Sequence, residues 1–144
     1  PTHALSGGQK KQVSIADILI MKPEIVILDA PAAALAPKHT VLVNQAVDRM
    51  TGEGITVMMA THDVNYAMEW ADEVMIFRDG TVAAHGVPEQ VFEDKQLLRE
   101  TNLEQPAVLQ LFDSLKEKGI LKEELPLPRS LGALLQEIER LPSR

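Results

Sequence analysis

Apolar positions along the chain fall into two kinds of run, separated by turn residues. Val13, Ile15, Ala16, Ile18, Leu19 and Met21 recur at helical spacing and predict a helix over residues 6–22, stopped at Lys22-Pro23. Ile25-Val26-Ile27-Leu28-Asp29 is a short block of branched aliphatics ending in a carboxylate and predicts a buried strand. Ala30-Pro31 breaks it. Pro37 suits the first turn of the next helix, over about 38–51, whose stripe is Val41, Val43, Ala46, Val47 and Met50. Gly52 and Gly54 bracket the turn into a second buried strand, Ile55–Ala60. A short helix over Val64–Trp70 follows, with Asp63 placed to cap it. Glu73–Arg78 and Thr81–His85 then read as two strands joined by Asp79-Gly80, the strongest hairpin signal in the chain. The strand–helix–strand alternation up to residue 78 implies an α/β layered domain with parallel strands.

Beyond residue 93 the pattern changes. Pro88–Phe92 opens a helix, and Val108, Leu111, Phe112 and Leu115 form one stripe that ends at Gly119. Leu125-Pro126-Leu127-Pro128 reads as an extended linker. Ser130 caps a last helix with Leu131, Leu134, Leu135, Ile138 and Leu141 on one face. That helix is too short to stand alone, so this chain or a second copy must cover its stripe. The pattern predicts a main domain over 1–92 and a helical extension over 93–144, the latter a candidate for dimerisation.

Composition narrows the function classes. A 45% hydrophobic content predicts a globular core, and with 3% aromatics that core must be aliphatic. A formal net charge of −7 argues against nucleic-acid binding, which needs a basic face. Without cysteine there is no thiol catalysis or thiolate metal site, and a cytoplasmic setting fits. No apolar run approaches the ~20 residues of a membrane span, and no signal peptide is visible. His3, His39 and His85 are isolated, and no pair has metal-ligand spacing, so no zinc is expected.

Two stretches carry chemistry. Leu5-Ser6-Gly7-Gly8-Gln9 reads as a loop opening onto a helix, where glycine amides and the positive helix end suit a phosphate. The same residues also suit an ordinary loop before a helix. Asp29, at the end of its strand, is suited to hold magnesium, or merely to satisfy a helix N-terminus. Their order and separation are specific together. The chain resembles the ATP-binding cassette (ABC) ATPases: LSGGQ matches their signature motif letter for letter, and IVILD looks like their Walker B strand. The run from Leu5 to Asp29 is most similar to the cobalt-transport or energy-coupling-factor branch, and the resemblance extends over roughly residues 1–120.

The resemblance implies a partial P-loop NTPase sheet-and-helix domain with a small helical C-terminal extension. It implies that Ser6, Gly7, Gly8 and Gln9 meet an ATP held by the opposite subunit, and that Asp29 orients magnesium through water. His62, after Met58-Met59-Ala60-Thr61, is similar to the family's switch histidine, which hydrogen-bonds the γ-phosphate; the plainer alternative is a loop residue before a helix.

Departures from the family pattern are concentrated. Where it reads D-E-P-T-x-x-L-D-P, the chain has Asp29-Ala30-Pro31-Ala32-Ala33-Ala34-Leu35-Ala36-Pro37. Ala30 stands where the catalytic glutamate belongs and cannot accept a proton. Ala32, Ala34 and Ala36 replace a threonine, a glycine and an aspartate, while Pro31, Leu35 and Pro37 remain. Selected inactivation or engineering explains that division better than drift. Gln12 stands where an arginine is common. The eight glycines, at 7, 8, 52, 54, 80, 86, 119 and 132, include no pair with Walker A spacing.

The resemblance therefore implies the C-terminal half of an ABC ATPase subunit, a peripheral membrane protein lending its motifs to a composite ATP–magnesium site. Partners would be a Walker A-containing half or subunit and membrane-embedded transporter subunits. The transported substrate would be cobalt, another metal ion or a vitamin, and hydrolysis by the chain alone should be nil. The alternatives are a catalytically dead regulatory or interaction module and an engineered scaffold without nucleotide binding. An open strand edge predicts an oligomer or a rearranged sheet.

Overall fold

The structure, a computed structural model, describes residues 10, 13, 14, 17, 18, 20–31 and 37–142. The chain forms two compact units, Pro1–His62 and Asp63–Arg144.

In the first unit the backbone is helical at residues 10, 13, 14, 17, 18 and 20, as the early apolar spacing predicts. The Ser14 hydroxyl donates back to the Lys10 carbonyl at 3.0 Å, and the Met21 amide to that of Ile18 at 3.1 Å. Lys22 then takes a left-handed φ of 47° and Pro23 closes the turn. Strand β1 (Ile25–Asp29) pairs in parallel with β2 (Thr56–Ala60), Ile25 opposite Thr56 and Asp29 opposite Ala60. Helix α1 (Pro37–Gly52) makes the crossover a parallel pair requires. Among the described residues Val26, Leu28 and Met50 form a core cluster, with Ile18, Val47, Ile55, Val57 and Met59 packed around them.

The second unit begins with α2 (Val64–Trp70), capped by Asp63, and continues into the hairpin β3 (Val74–Arg78) and β4 (Thr81–Gly86). Asp79 and Gly80 have φ of 50° and 77°, the paired left-handed values that match a two-residue turn to the twist of its strands. The ladder is antiparallel, with a bulge between Ile76 and Phe77. Four helices follow: α3 (Pro88–Glu93), α4 (Lys95–Glu100), α5 (Ala107–Glu117) and α6 (Leu131–Glu139). They enclose a core that includes Met68, Ile76, Phe92, Leu109, Phe112 and Leu134.

Three helices end the same way. Past α1, α4 and α5, a left-handed residue (Gly54, Asn102, Gly119) is followed by an amide that reaches five residues back, as in Ile55 to Met50, Leu103 to Leu98 and Ile120 to Leu115. Each satisfies carbonyls the helix end would leave orphaned.

Four features differ from the sequence expectation. The strands of β1 and β2 are not buried throughout: Ile25 and Ile27 are 59% and 74% exposed, because the described residues pack against one face of the pair only. Parallel order holds for β1 and β2 but not for β3, whose turn commits it to β4. Helix α4 has no apolar stripe long enough to announce it; Asp94 caps it by accepting from the Gln96 and Leu97 amides. On α6, Leu134 is buried and Ile138 and Leu141 pack against the core, whereas Leu131 and Leu135 are exposed. The Leu-Pro-Leu-Pro linker is neither helix nor strand, and Leu125 and Leu127 pack on the core.

Candidate functional site at the carboxyl ends of β1 and β2

Side chains alternate across a strand, so Ile25, Ile27 and Asp29 share a face of β1, opposite the one that buries Val26 and Leu28. Parallel register places Thr56, Met58 and Ala60 beside them on β2. That face is thus an exposed apolar strip leading to one carboxylate at the strand ends. In open α/β sheets this carboxyl edge is where ligands bind.

The backbone at the edge is closely held. Past the last ladder pair, the Ala30 amide donates to the Ala60 carbonyl at 2.9 Å, tying the two chain exits together. Ala30 has a φ of 41°, a left-handed conformation that costs a residue with a Cβ about 1 kcal/mol. Such strain persists where the surroundings impose it, as they do at binding and catalytic sites. Pro31 follows, buried. On the other exit, Thr61 and His62 follow Ala60 directly, so the imidazole lies two residues beyond the register partner of Asp29.

Asp29 and His62 are both exposed, and no hydrogen bond or ion pair from a described residue occupies either side chain. Asp63, by contrast, is committed: its carboxylate accepts from the Asn65 and Tyr66 amides, both at 3.0 Å. This is the cap the sequence predicts. His85 lies far along the chain on β4, its ring 2.9 Å from the Glu73 carboxylate. Among the described residues no three His, Cys, Asp or Glu side chains come together as a metal site, and no helix is long and apolar enough to cross a membrane.

Among the described residues the edge therefore offers a carboxylate and an imidazole that no hydrogen bond or ion pair occupies, with Ala30 next to the carboxylate in sequence. A hydrated divalent cation suits such an edge, where no described residue takes up the acceptor capacity of the carboxylate. The arrangement can bind and orient. It holds no carboxylate at position 30 that could take a proton from water. Ser6, Gly7, Gly8, Gln9 and Gln12 lie outside the described residues, as do Ala32–Ala36. Sequence reasoning missed the strain at Ala30, since alanine carries no signal for a left-handed backbone.

The ABC transporter family profile matches residues 1–33. An energy-coupling factor transporter ATP-binding protein, EcfA2 of Methanospirillum hungatei, is 39% identical over 139 residues, 96% of this chain and 35% of its own length. The EcfA protein of Methanocaldococcus jannaschii is 40% identical over 140 residues, covering 97% of this chain and 48% of itself. Among solved structures, CbiO1 of Clostridium perfringens, part of the ABC transporter complex CbiONQ, superimposes with a TM-score of 0.59 at 39% identity, over 78% of this chain and 45% of that one. The chain thus spans a third to a half of the length of these relatives. Over the residues it covers, it is similar to ABC transporter ATP-binding proteins, with relatives of the energy-coupling-factor and cobalt-transport kind.

Proposed function

We propose that this chain supplies half of a composite ATP site in an energy-coupling-factor or cobalt-type importer, acting in trans with a subunit or half-domain that carries a Walker A loop. The observation that carries the reading is the edge itself: Asp29 and His62 unoccupied at adjoining strand ends, over a backbone tied at Ala30–Ala60. Ser6, Gly7, Gly8 and Gln9 would contact the γ-phosphate side of the nucleotide, and Asp29 would hold magnesium through water. Bound magnesium neutralises phosphate charge and orients the phosphate chain. His62 would donate to a γ-phosphate oxygen. With Ala30 in place of a base, the site would bind and sense ATP without activating water, so the chain by itself is hydrolytically silent.

On this reading the ATPase-like part runs over 1–92 and the helical extension over 93–144 mediates contacts between subunits. The assembly would be a homo- or hetero-oligomer on the cytoplasmic face of membrane-embedded transporter subunits, which would choose the metal ion or vitamin carried. The names of the relatives, an energy-coupling factor transporter and a part of CbiONQ, support this assignment.

Labelled ATP with magnesium, titrated into the chain alone and into its mixture with a Walker A-containing subunit, tests the proposal. Binding confined to the mixture, and lost on Asp29→Asn or His62→Gln, is the expected result. No binding in either case would leave an interaction module in its place. Tight binding by the chain alone would mean a complete nucleotide pocket within it and would overturn the trans reading.

A further inference from the structure

Asp79-Gly80 closes the hairpin, and it is also the one place in the sequence where a glycine follows an aspartate or an asparagine. That pairing has a chemistry of its own. The aspartate side-chain carboxyl lies within reach of the next residue's amide nitrogen through a five-membered ring, and a glycine there puts no Cβ in the way. A Cβ added at Gly80 would meet nothing within 4 Å, and the Asp79 side chain is 89% exposed. Its carboxylate faces the Arg78 guanidinium at 3.3 Å, which also faces Glu100 at 3.7 Å. A solvent-exposed pair of this kind restrains it weakly.

Ring closure needs the amide nitrogen to swing toward the carboxyl, so backbone freedom decides whether it happens. The bulge between Ile76 and Phe77 separates the hairpin tip from the buried Val74 and Ile76. Beyond it the ladder pairs are Phe77↔Val82 and Arg78↔Thr81, with the Thr81 hydroxyl donating to the Arg78 carbonyl at 3.0 Å. Phe77 and Val82 are 67% and 50% exposed, so the tip opens without disturbing the core. Asp113-Ser114, where another small residue follows an aspartate, is the internal contrast. It lies inside α5, and the Asp113 carboxylate is gripped by Lys95 at 2.7 Å and Gln105 at 3.3 Å.

We infer that Asp79 is a self-modification site: the Gly80 amide closes on its side chain to a succinimide, and water reopens the ring to isoaspartate. In the first step the Gly80 nitrogen bonds to Asp79 Cγ and gives up its proton, and the carboxyl hydroxyl leaves with that proton as water. In the second, water adds across one of the two imide C–N bonds. Cleavage at the side-chain carbonyl restores aspartate. Cleavage at the main-chain carbonyl frees the α-carboxylate and routes the backbone through the side chain, one carbon longer. Nothing is oxidised or reduced, and water is the only co-reactant. A two-residue turn lengthened by one carbon cannot hold its register, so Arg78↔Thr81 and Phe77↔Val82 are lost while Val74 and Ile76 keep their places in the core. The inference stands apart from the proposed ATP site and needs no nucleotide.

The test ages the full chain at physiological temperature in mildly acidic buffer. Isoaspartate is then labelled by an isoaspartate methyltransferase with S-adenosylmethionine, and peptide mass spectrometry locates the label. The expected result is label on the Asp79-Gly80 peptide that rises with age, accompanied by a fraction lighter by one water. Amide exchange in the aged protein should speed over Phe77–Val82 and stay unchanged at Ile76. Aged protein without label, or label at Asp113 ahead of Asp79, would overturn the inference. Asp79→Glu, which would need a six-membered ring, should lose the label, and label persisting on that peptide would also overturn it. Because glutamate suits a left-handed turn poorly, Asp79→Asn is the second check: it keeps the turn and departs as ammonia. That peptide should gain one mass unit on ageing, faster than the native one isomerises; an asparagine that survives intact would sink the idea.

Discussion

The two units each contain one two-stranded sheet, and they stabilise it by opposite means. The β3–β4 hairpin is closed by Asp79-Gly80, two residues whose left-handed backbones are local, and its buried face sits in an eleven-residue core. The β1–β2 pair is joined across α1, a crossover of some twenty-five residues, and among the described residues its core cluster has three buried members. Yet it is the second arrangement whose strand ends hold Asp29 and Ala30, with His62 two residues beyond. A parallel pair ordinarily has cover on both faces. Here Ile25 and Ile27 are exposed on one, and the relatives are two to three times longer than the residues matched. The difference teaches that a candidate ligand edge and the larger core among the described residues are separable, and that in this chain they lie in different regions.

Core truncation should separate the units most sharply. Phe112→Ala removes a fully buried ring from the second unit and should cost about 3–5 kcal/mol, whereas Met50→Ala in the first should cost about 2–5 kcal/mol. Denaturant unfolding followed by amide exchange should show each variant lowering protection in its own unit. Loss of protection in both units from either variant would show that they unfold as one.

Next in size are the helix terminators. Gly54→Ala and Gly119→Ala meet no atom within 4 Å, so their cost is backbone conformation alone, about 1–2 kcal/mol at φ of 83° and 67°. A shift in thermal midpoint of equal size for both would show that the motif, and not the unit around it, sets the penalty. Ser130→Ala removes the hydroxyl that accepts from the Ala133 amide at 3.1 Å and should cost about 1 kcal/mol, read as lower helix content and lower midpoint.

The smallest effect tests the surface of the second unit. Lys95 lies 2.7 Å from Asp113, and the hydrogen bond and charge of that carboxylate hold its pKa above the usual lysine value. Because the folded-state pKa is raised, the stabilisation is fully present below the unfolded value and is lost as pH rises through the folded one. Lys95→Met should therefore lower stability by about 0.5 kcal/mol at pH 7, less at high salt, with the difference from wild type shrinking only above about pH 10.

Much of this was legible in the sequence because its signals are local. Helix α1, the hairpin turn, the caps at Asp63 and Ser130, and the stop at Gly119 each depend on residues within a few positions of one another. Asp29 and His62 were legible for the same reason, each terminating an apolar block. Helix α4 was missed because its six residues carry a cap without a stripe. The exposure of Ile25 and Ile27 was missed because an aliphatic run reads identically whether or not its own chain covers both faces. The pairing of Leu134 but not Leu135 with the core likewise depends on which neighbours α6 meets.

The sequence by itself determined the kind and order of the elements, the family resemblance carried by LSGGQ and IVILD, and the absence of a base at Ala30. These follow from residue type, short-range periodicity and turn chemistry. Only the tertiary structure decided that the Ala30 amide ties to Ala60 at the cost of a left-handed backbone, and that Arg129 closes a helix some sixty residues earlier. Contacts of that separation depend on how the chain closes on itself, and neither alanine nor a lone arginine after a proline declares in advance which carbonyl it will meet.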